Sequence, residues 1–206
     1  MERIGKWLKR VKLQHIILLV ICCLINPMVK ADSFYAEVKK IKGVATVEGE
    51  KLKVGDKISA GKVISAKGKG NFIDLKFSNG TAMRIVGGEL RVERKQKELS
   101  VYNVLAGKVF SYFEKSDKDK HVVKTRDASF AIRGTRFLAE QQEDKSFLCV
   151  CEGVVEASND TGLSVRVPAG KEVFVSKGDR EFVNKVAVRD MTKLKSVFKK
   201  MGYPVD

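Results

Sequence analysis

Cys149 and Cys151, set in the run FLCVC, are the side chains of this 206-residue sequence best suited to chemistry. A thiol pair at this spacing invites metal binding or redox work. On an extended strand, residues two apart share a face, so Phe147, Cys149 and Cys151 point one way and Leu148 and Val150 the other. Both faces are apolar, which predicts a central strand that uses cysteine as a small hydrophobe. A CxC without a third ligand is a weak metal signal, and a disulfide would strain the strand, because bonded Cβ atoms want to be about 3.8 Å apart.

Other catalytic sets fare worse. His121 is the only histidine beyond residue 31 and sits in the charged run EKSDKDKH, so a Ser/His/Asp triad has a single, exposed source for its base. Asp56 and Asp74 would be the pair for glycoside cleavage, yet a turn and the polar side of a strand already account for them. No residue is assigned a catalytic, cofactor or metal role, and the chain reads as a non-enzyme.

The elements that must position these groups are strands. Ile73, Leu75 and Phe77 alternate with Asp74 and Lys76; Leu90 and Val92 alternate with Arg91 and Glu93; Leu163, Val165 and Val167 alternate with Ser164 and Arg166. Turn signals separate such segments at Gly43, Gly49, Gly55-Asp56, Gly61, Asn79-Gly80, Gly87-Gly88, Gly107, Gly153, Asn159-Asp160 and Gly170. Gly134-Thr135 would place a residue without a side chain where strands approach closely, with Ile132 and Phe137 packing into the core. Gly55-Asp56 suits a tight turn, and Asn79-Gly80 is the preferred pair for a two-residue type I′ hairpin. The predicted fold is all-β, an antiparallel β-sandwich or β-roll with a single C-terminal helix. Residues 114–121 and 140–146 are charged and read as solvated hairpin loops.

The helix is predicted from Met191, Leu194, Val197, Phe198 and Met201, with Asp190 as its N-cap and Gly202 as its stop. Its apolar stripe would seal one open end of the β core. Lys193, Lys195, Lys199 and Lys200 would then face water, with contact to a membrane surface as the alternative.

Location follows from the first 31 residues. Arg3, Lys6, Lys9, Arg10 and Lys12 precede the apolar run of residues 16–25, then Pro27, then Val29 and Ala31 at small-residue spacing. The run is shorter than the roughly 20 residues a membrane helix needs. It predicts a signal peptide cut near Ala31 and a periplasmic or secreted protein; a retained anchor, making a membrane-bound sensor fragment, is the alternative. The expected division is leader 1–31, β domain 32–180 and helical appendage 181–206.

After that cut, 34 basic and 24 acidic side chains remain, a net of +10. The cations are mostly lysines interspersed with acids, unlike the arginine-rich, aromatic-interleaved face of a nucleic-acid binder. Export and positive charge together favour an anionic envelope polymer or glycan, or an envelope protein.

The glycines carry a resemblance. GVATVEGEKLKVGDKISAG from Gly43, then FIDLKFSNGTAMRI, LSVYNVLAGKVF, VVKTRDASFAIRGTRF, FLCVCEGVVEA and VRVPAGKEVFV, over residues 41–176, resemble the FecR family of periplasmic domains. The chain departs at Thr125-Arg126, where the family often has threonine followed by proline. The resemblance implies that Gly43, Gly55, Asp56, Gly61, Gly80, Gly107, Gly134, Thr135, Gly153 and Gly170 shape a scaffold. It also implies a signalling role, since such domains receive signals from outer-membrane receptors. The dozen residues before the apolar run leave no room for a cytoplasmic anti-sigma region, so a stand-alone FecR-like binding module of the envelope is expected. The competing class is a structural or assembly factor without a small ligand.

Overall fold

The computed structural model describes residues 34–96, 98–116, 120–162, 164–176, 184–185 and 188–205. The proposed leader and Leu163 lie outside the described residues. Among those described, no helix is long and apolar enough to cross a membrane.

Two long strands set the architecture. β7 (Ala82–Gln96) and β8 (Leu99–Tyr112) pair as a hairpin of 15 and 14 residues, against a usual strand of about six. Midway, the register slips between Val86 and Glu89, opposite Gly107. A Cβ on Gly88 would lie 2.0 Å from the Ala106 carbonyl oxygen, and one on Gly107 would lie 2.6 Å from that of Gly87. Glycine alone permits this approach, and the resulting bulge redirects the ribbon so that each half joins a different layer.

The first layer runs β4 (Lys57–Ser59), β1 (Tyr35–Lys42), β6 (Phe72–Phe77), the first half of β7, the second half of β8, β11 (Arg136–Gln141), β12 (Lys145–Glu152), β15 (Lys171–Ser176) and β16 (Asn184–Lys185). The second runs β3 (Glu50–Lys51), β2 (Thr46–Val47), β5 (Val63–Ser65), the second half of β7, the first half of β8, β9 (Lys120–Lys124), β10 (Ser129–Ile132), β13 (Val154–Ser158) and β14 (Ser164–Pro168). Between them lies one core in which Ile73, Leu75, Met83 and Leu148 of the first layer join Ile64, Leu90, Val123 and Phe130 of the second. Tyr102 of the second layer meets Phe77 of the first edge-on at 5.3 Å. The fold is thus predominantly β, a single sheet bent into two layers.

Several local expectations change. β8 and β9 pair in parallel, in a fold otherwise antiparallel, so the charged run after β8 is a crossover and not a hairpin loop. His121 consequently falls inside β9, 5% exposed, with its ring 4.8 Å from that of Phe113. At Asn79-Gly80, only the glycine has positive φ, and the Phe77 N–H donates to the Thr81 carbonyl at 2.8 Å. That is a three-residue loop with glycine in the left-handed position, not a type I′ turn. Asp56 accepts the Lys53 N–H at 2.7 Å, three residues back, which closes the turn at Gly55.

The helix also lies elsewhere. α1 (Val188–Met201) begins two residues before Asp190, which sits in its first turn and pairs with Lys193 at 3.2 Å. Rather than plugging an end of the core, it covers the outer face of the first layer. There Phe110, Leu138 and Cys149 stand side by side on β8, β11 and β12. Phe198 completes this smaller cluster, fully buried, 6.0 Å from the Phe110 ring. Gly202, at φ 89°, ends the helix: its N–H reaches the Lys199 carbonyl, and the Tyr203 N–H reaches that of Phe198 at 2.9 Å. Tyr203 then stacks on Tyr112 at 4.3 Å.

The same face holds a buried ion pair. Asp74 and Arg84 sit opposite each other on β6 and β7, joined by two hydrogen bonds of 2.6 and 2.7 Å, with the Phe72 ring 4.2 Å from the guanidinium. The polar side of β6 is therefore covered rather than solvated at Asp74.

Candidate functional site

In the second half of the chain, from the end of β8 onward, four connections pass from one layer to the other. After β8 the chain crosses near Lys115, after β10 at Arg133-Gly134-Thr135, after β12 at Gly153 and after β14 at Ala169-Gly170. Backbone bonds tie these crossings together: the Phe113 N–H donates to the Thr135 carbonyl, the Ala169 N–H to that of Gly153, and the Gly170 N–H to that of Val150.

Two of the glycines permit this convergence. Gly134 has φ 58° and Gly153 has φ 83°. A Cβ on Gly134 would lie 2.9 Å from the Lys115 Cβ, and one on Gly153 would lie 2.8 Å from the Gly134 carbonyl oxygen and 2.7 Å from the Thr135 methyl. Any side chain would push the crossings apart. Thr135 is 1% exposed and packs between them.

The convergence leaves a groove of about 700 Å³, floored by Gly134 and Gly153 and walled by β10, β13 and β14. Lys115, Arg133 and Arg166 bring three positive charges to it and Glu156 one carboxylate, which already accepts the Ser164 hydroxyl at 2.8 Å. Val154, 38% exposed, adds an apolar contact. The arrangement suits an extended acidic segment: cations for its carboxylates, an apolar foothold, and an adjacent sheet edge at β14.

Beyond the groove, the reactive groups are locked. Asp56 holds a turn and Asp74 its ion pair, so they form no carboxylate pair. Cys149 and Cys151 are free thiols beneath α1, side by side on one face of β12. Their interaction with each other, with burial and the nearby carboxylates of Glu172 and Asp190, pushes the Cys149 thiol up; it pulls Cys151 down, with help from Lys195. Among the described residues, no three His, Cys, Asp or Glu side chains are grouped to hold a metal.

Opposite the groove, the ends of the layers are knotted by polar groups. Asp127 accepts Arg126 at 3.1 Å, Gln141 at 3.1 Å and Ser146 at 3.3 Å. Burial opposes the charge on Asp127, but the bonds from Arg126 and Gln141 outweigh it and hold the carboxyl below its usual value. The Arg126 backbone N–H also donates to the Gln141 side-chain oxygen at 2.7 Å. A proline at 126 has no N–H to give, which accounts physically for the arginine there.

Of the remaining motif positions, Gly43, Gly55, Gly61, Gly80 and Gly170 all have positive φ, in turns dispersed around the domain. Lys115, Arg133 and Arg166 were not legible as a set, because they are remote in sequence and meet only where the crossovers do. The neighbouring Gly134 and Gly153 were the one available pointer.

Comparison with known proteins agrees with this architecture. Two crystal structures of a proposed anti-sigma factor from Parabacteroides distasonis ATCC 8503, at 2.50 and 1.65 Å resolution, resemble it with a TM-score of 0.55 each. Identity is 16% and 17%, over 62% and 63% of this chain, and the match spans 62% of the length of each of those chains. No curated protein matches the sequence. Residues 62–156 match the family described as FecR protein. That segment, matching the FecR family, supplies Lys115, Arg133, Gly134 and Gly153 of the groove.

Proposed function

We propose that this chain is an exported, non-catalytic recognition module of a signalling system, and that the crossover groove takes an acidic segment of an envelope protein. The observation that carries this reading is the meeting of Lys115, Arg133 and Arg166 on a floor made by Gly134 and Gly153. Three supports accompany it. The leader favours export, with cleavage near Ala31. The FecR family is one of regulators rather than enzymes, and the shared fold includes a proposed anti-sigma factor, so a protein partner is preferred to a glycan. The balance of charge favours an anionic ligand.

The test is binding of the immobilised chain to envelope proteins at low and high salt, alongside Arg133→Glu/Arg166→Glu. Charge-driven binding weakens as salt shortens the screening length, about 10 Å at 0.1 M, and is lost in the double variant. Retention on purified anionic polymer alone would favour a glycan ligand, and salt-insensitive binding would remove the electrostatic mechanism. Intact-mass analysis of exported material tests the cut.

A further inference from the structure

The cluster beneath α1 collects sulfur. The described residues contain five sulfur-bearing side chains: Met83, Cys149, Cys151, Met191 and Met201. Only Met83 belongs to the large core between the layers; the other four gather in the small cluster between β12 and the helix. Apolar packing alone gives no reason for that concentration, since the large core is filled by valine, isoleucine, leucine and phenylalanine.

The geometry is that of a ligand pair. Cys149 and Cys151 project from one face of β12 into the same cluster, both buried and both free thiols. Met191 packs on the same cluster from the first turns of α1, and Phe147, Leu138 and Phe198 enclose it. Lys195 lies near enough to Cys151 to act on its charge. Glu172, opposite Cys149 on β15, and Asp190 of α1 act on the Cys149 charge, but among the described residues no three His, Cys, Asp or Glu side chains are grouped to hold a metal, so the four-coordinate set that zinc requires is missing. Two thiolates and a thioether are instead soft donors that select Cu(I), an ion content with few ligands in a buried site.

We propose that Cys149 and Cys151, with the Met191 thioether, form a binding site for one Cu(I) ion beneath the C-terminal helix. Both cysteines bind as thiolates, their protons leave to solvent, and the bound unit carries one net negative charge, which Lys195 offsets at Cys151 against the opposing carboxylates of Glu172 and Asp190 beside Cys149. No oxidation state changes. Because α1 covers the thiols, loading requires the helix to lift, so metal occupancy and helix docking are linked.

The experiment uses the full chain with Cys22→Ser and Cys23→Ser, so that the leader contributes no thiol. Cu(I) is supplied anaerobically against a chromogenic Cu(I) chelator. The expected result is uptake of one equivalent, abolished in Cys149→Ser/Cys151→Ser and weakened more than tenfold in Met191→Leu, with Met83→Leu unaffected. X-ray absorption on the chain with both thiols intact is expected to show a sulfur-only shell, a readout independent of how the serine variant folds. Failure to take up one equivalent, or oxygen or nitrogen in the shell, overturns the site; parental affinity in Met191→Leu overturns the thioether's part in it.

Discussion

The outer faces of the two layers are made by strands of the same sheet, yet one is closed and the other open. On the first layer, Phe110, Leu138, Cys149 and Cys151 face outward and α1 lies over them. On the second, the corresponding outward positions are Arg91, Asn103 and Lys124 in one row and Ala131, Glu156 and Arg166 in the next, and no element covers them among the described residues. The difference lies in the strand sequences. β12 is apolar on both faces and needs two partners, whereas β13 and β14 alternate and need one. The closed face contributes stability, and the open one is the face to which we assign the proposed recognition.

Phe198→Ala should show the largest effect. Emptying the centre of the closed face costs about 3–5 kcal/mol and frays α1, read as a lower urea midpoint and loss of helical signal. Arg84→Ala should be comparable, because it strands Asp74, whose side chain is 12% exposed, at a cost of roughly 3–5 kcal/mol. The paired change Arg84→Met/Asp74→Leu should restore most of that loss, and failure to do so would mean that the ion pair itself, not its broken half, supports the face.

Gly153→Ala tests the joint beneath the groove. A left-handed alanine costs roughly 1–3 kcal/mol, and its methyl would displace Thr135, so binding should fall along with stability. Asp127→Asn tests the knot at the far end. Loss of hydrogen bonds to a charged acceptor costs about 1.5–3 kcal/mol at neutral pH. Because folding lowers the Asp127 pKa, its contribution is complete above the unfolded carboxyl value of about 3.9. It disappears as pH falls through the lower folded value, so the variant should flatten the acid limb of the stability curve. Smallest in stability should be Arg166→Glu on the open face, within about 0.5 kcal/mol, while partner binding is lost.

How far the sequence revealed this contrast depended on whether a signal was local. The alternation through Ile73, Leu75 and Phe77, the two apolar faces around Cys149 and the Gly202 stop are properties of neighbouring residues, and they placed strands and helix end correctly. His121 misled because its neighbours are charged; its burial comes from parallel pairing with β8, a partnership remote in sequence. Likewise, the amphipathic stripe of α1 announced that the helix must cover something, without saying which of two surfaces. Asp74 looked solvent-facing because its partner, Arg84, lies on the next strand, and Val197 and Lys200 of α1, which stand over that partner, are remote in sequence. The groove was least legible, since Lys115, Arg133 and Arg166 meet only through three separate crossovers.

The central claim is that recognition belongs to the open face and its groove. It is tested most directly by placing a photo-crosslinking side chain at Val154, in the groove, or at Ser196, on the exposed side of α1, in chains expressed in the cell of origin. The account predicts a discrete protein adduct from Val154, abolished by Arg133→Glu/Arg166→Glu, and none from Ser196. Adducts from Ser196 alone, or a Val154 adduct indifferent to the charge reversals, would contradict it.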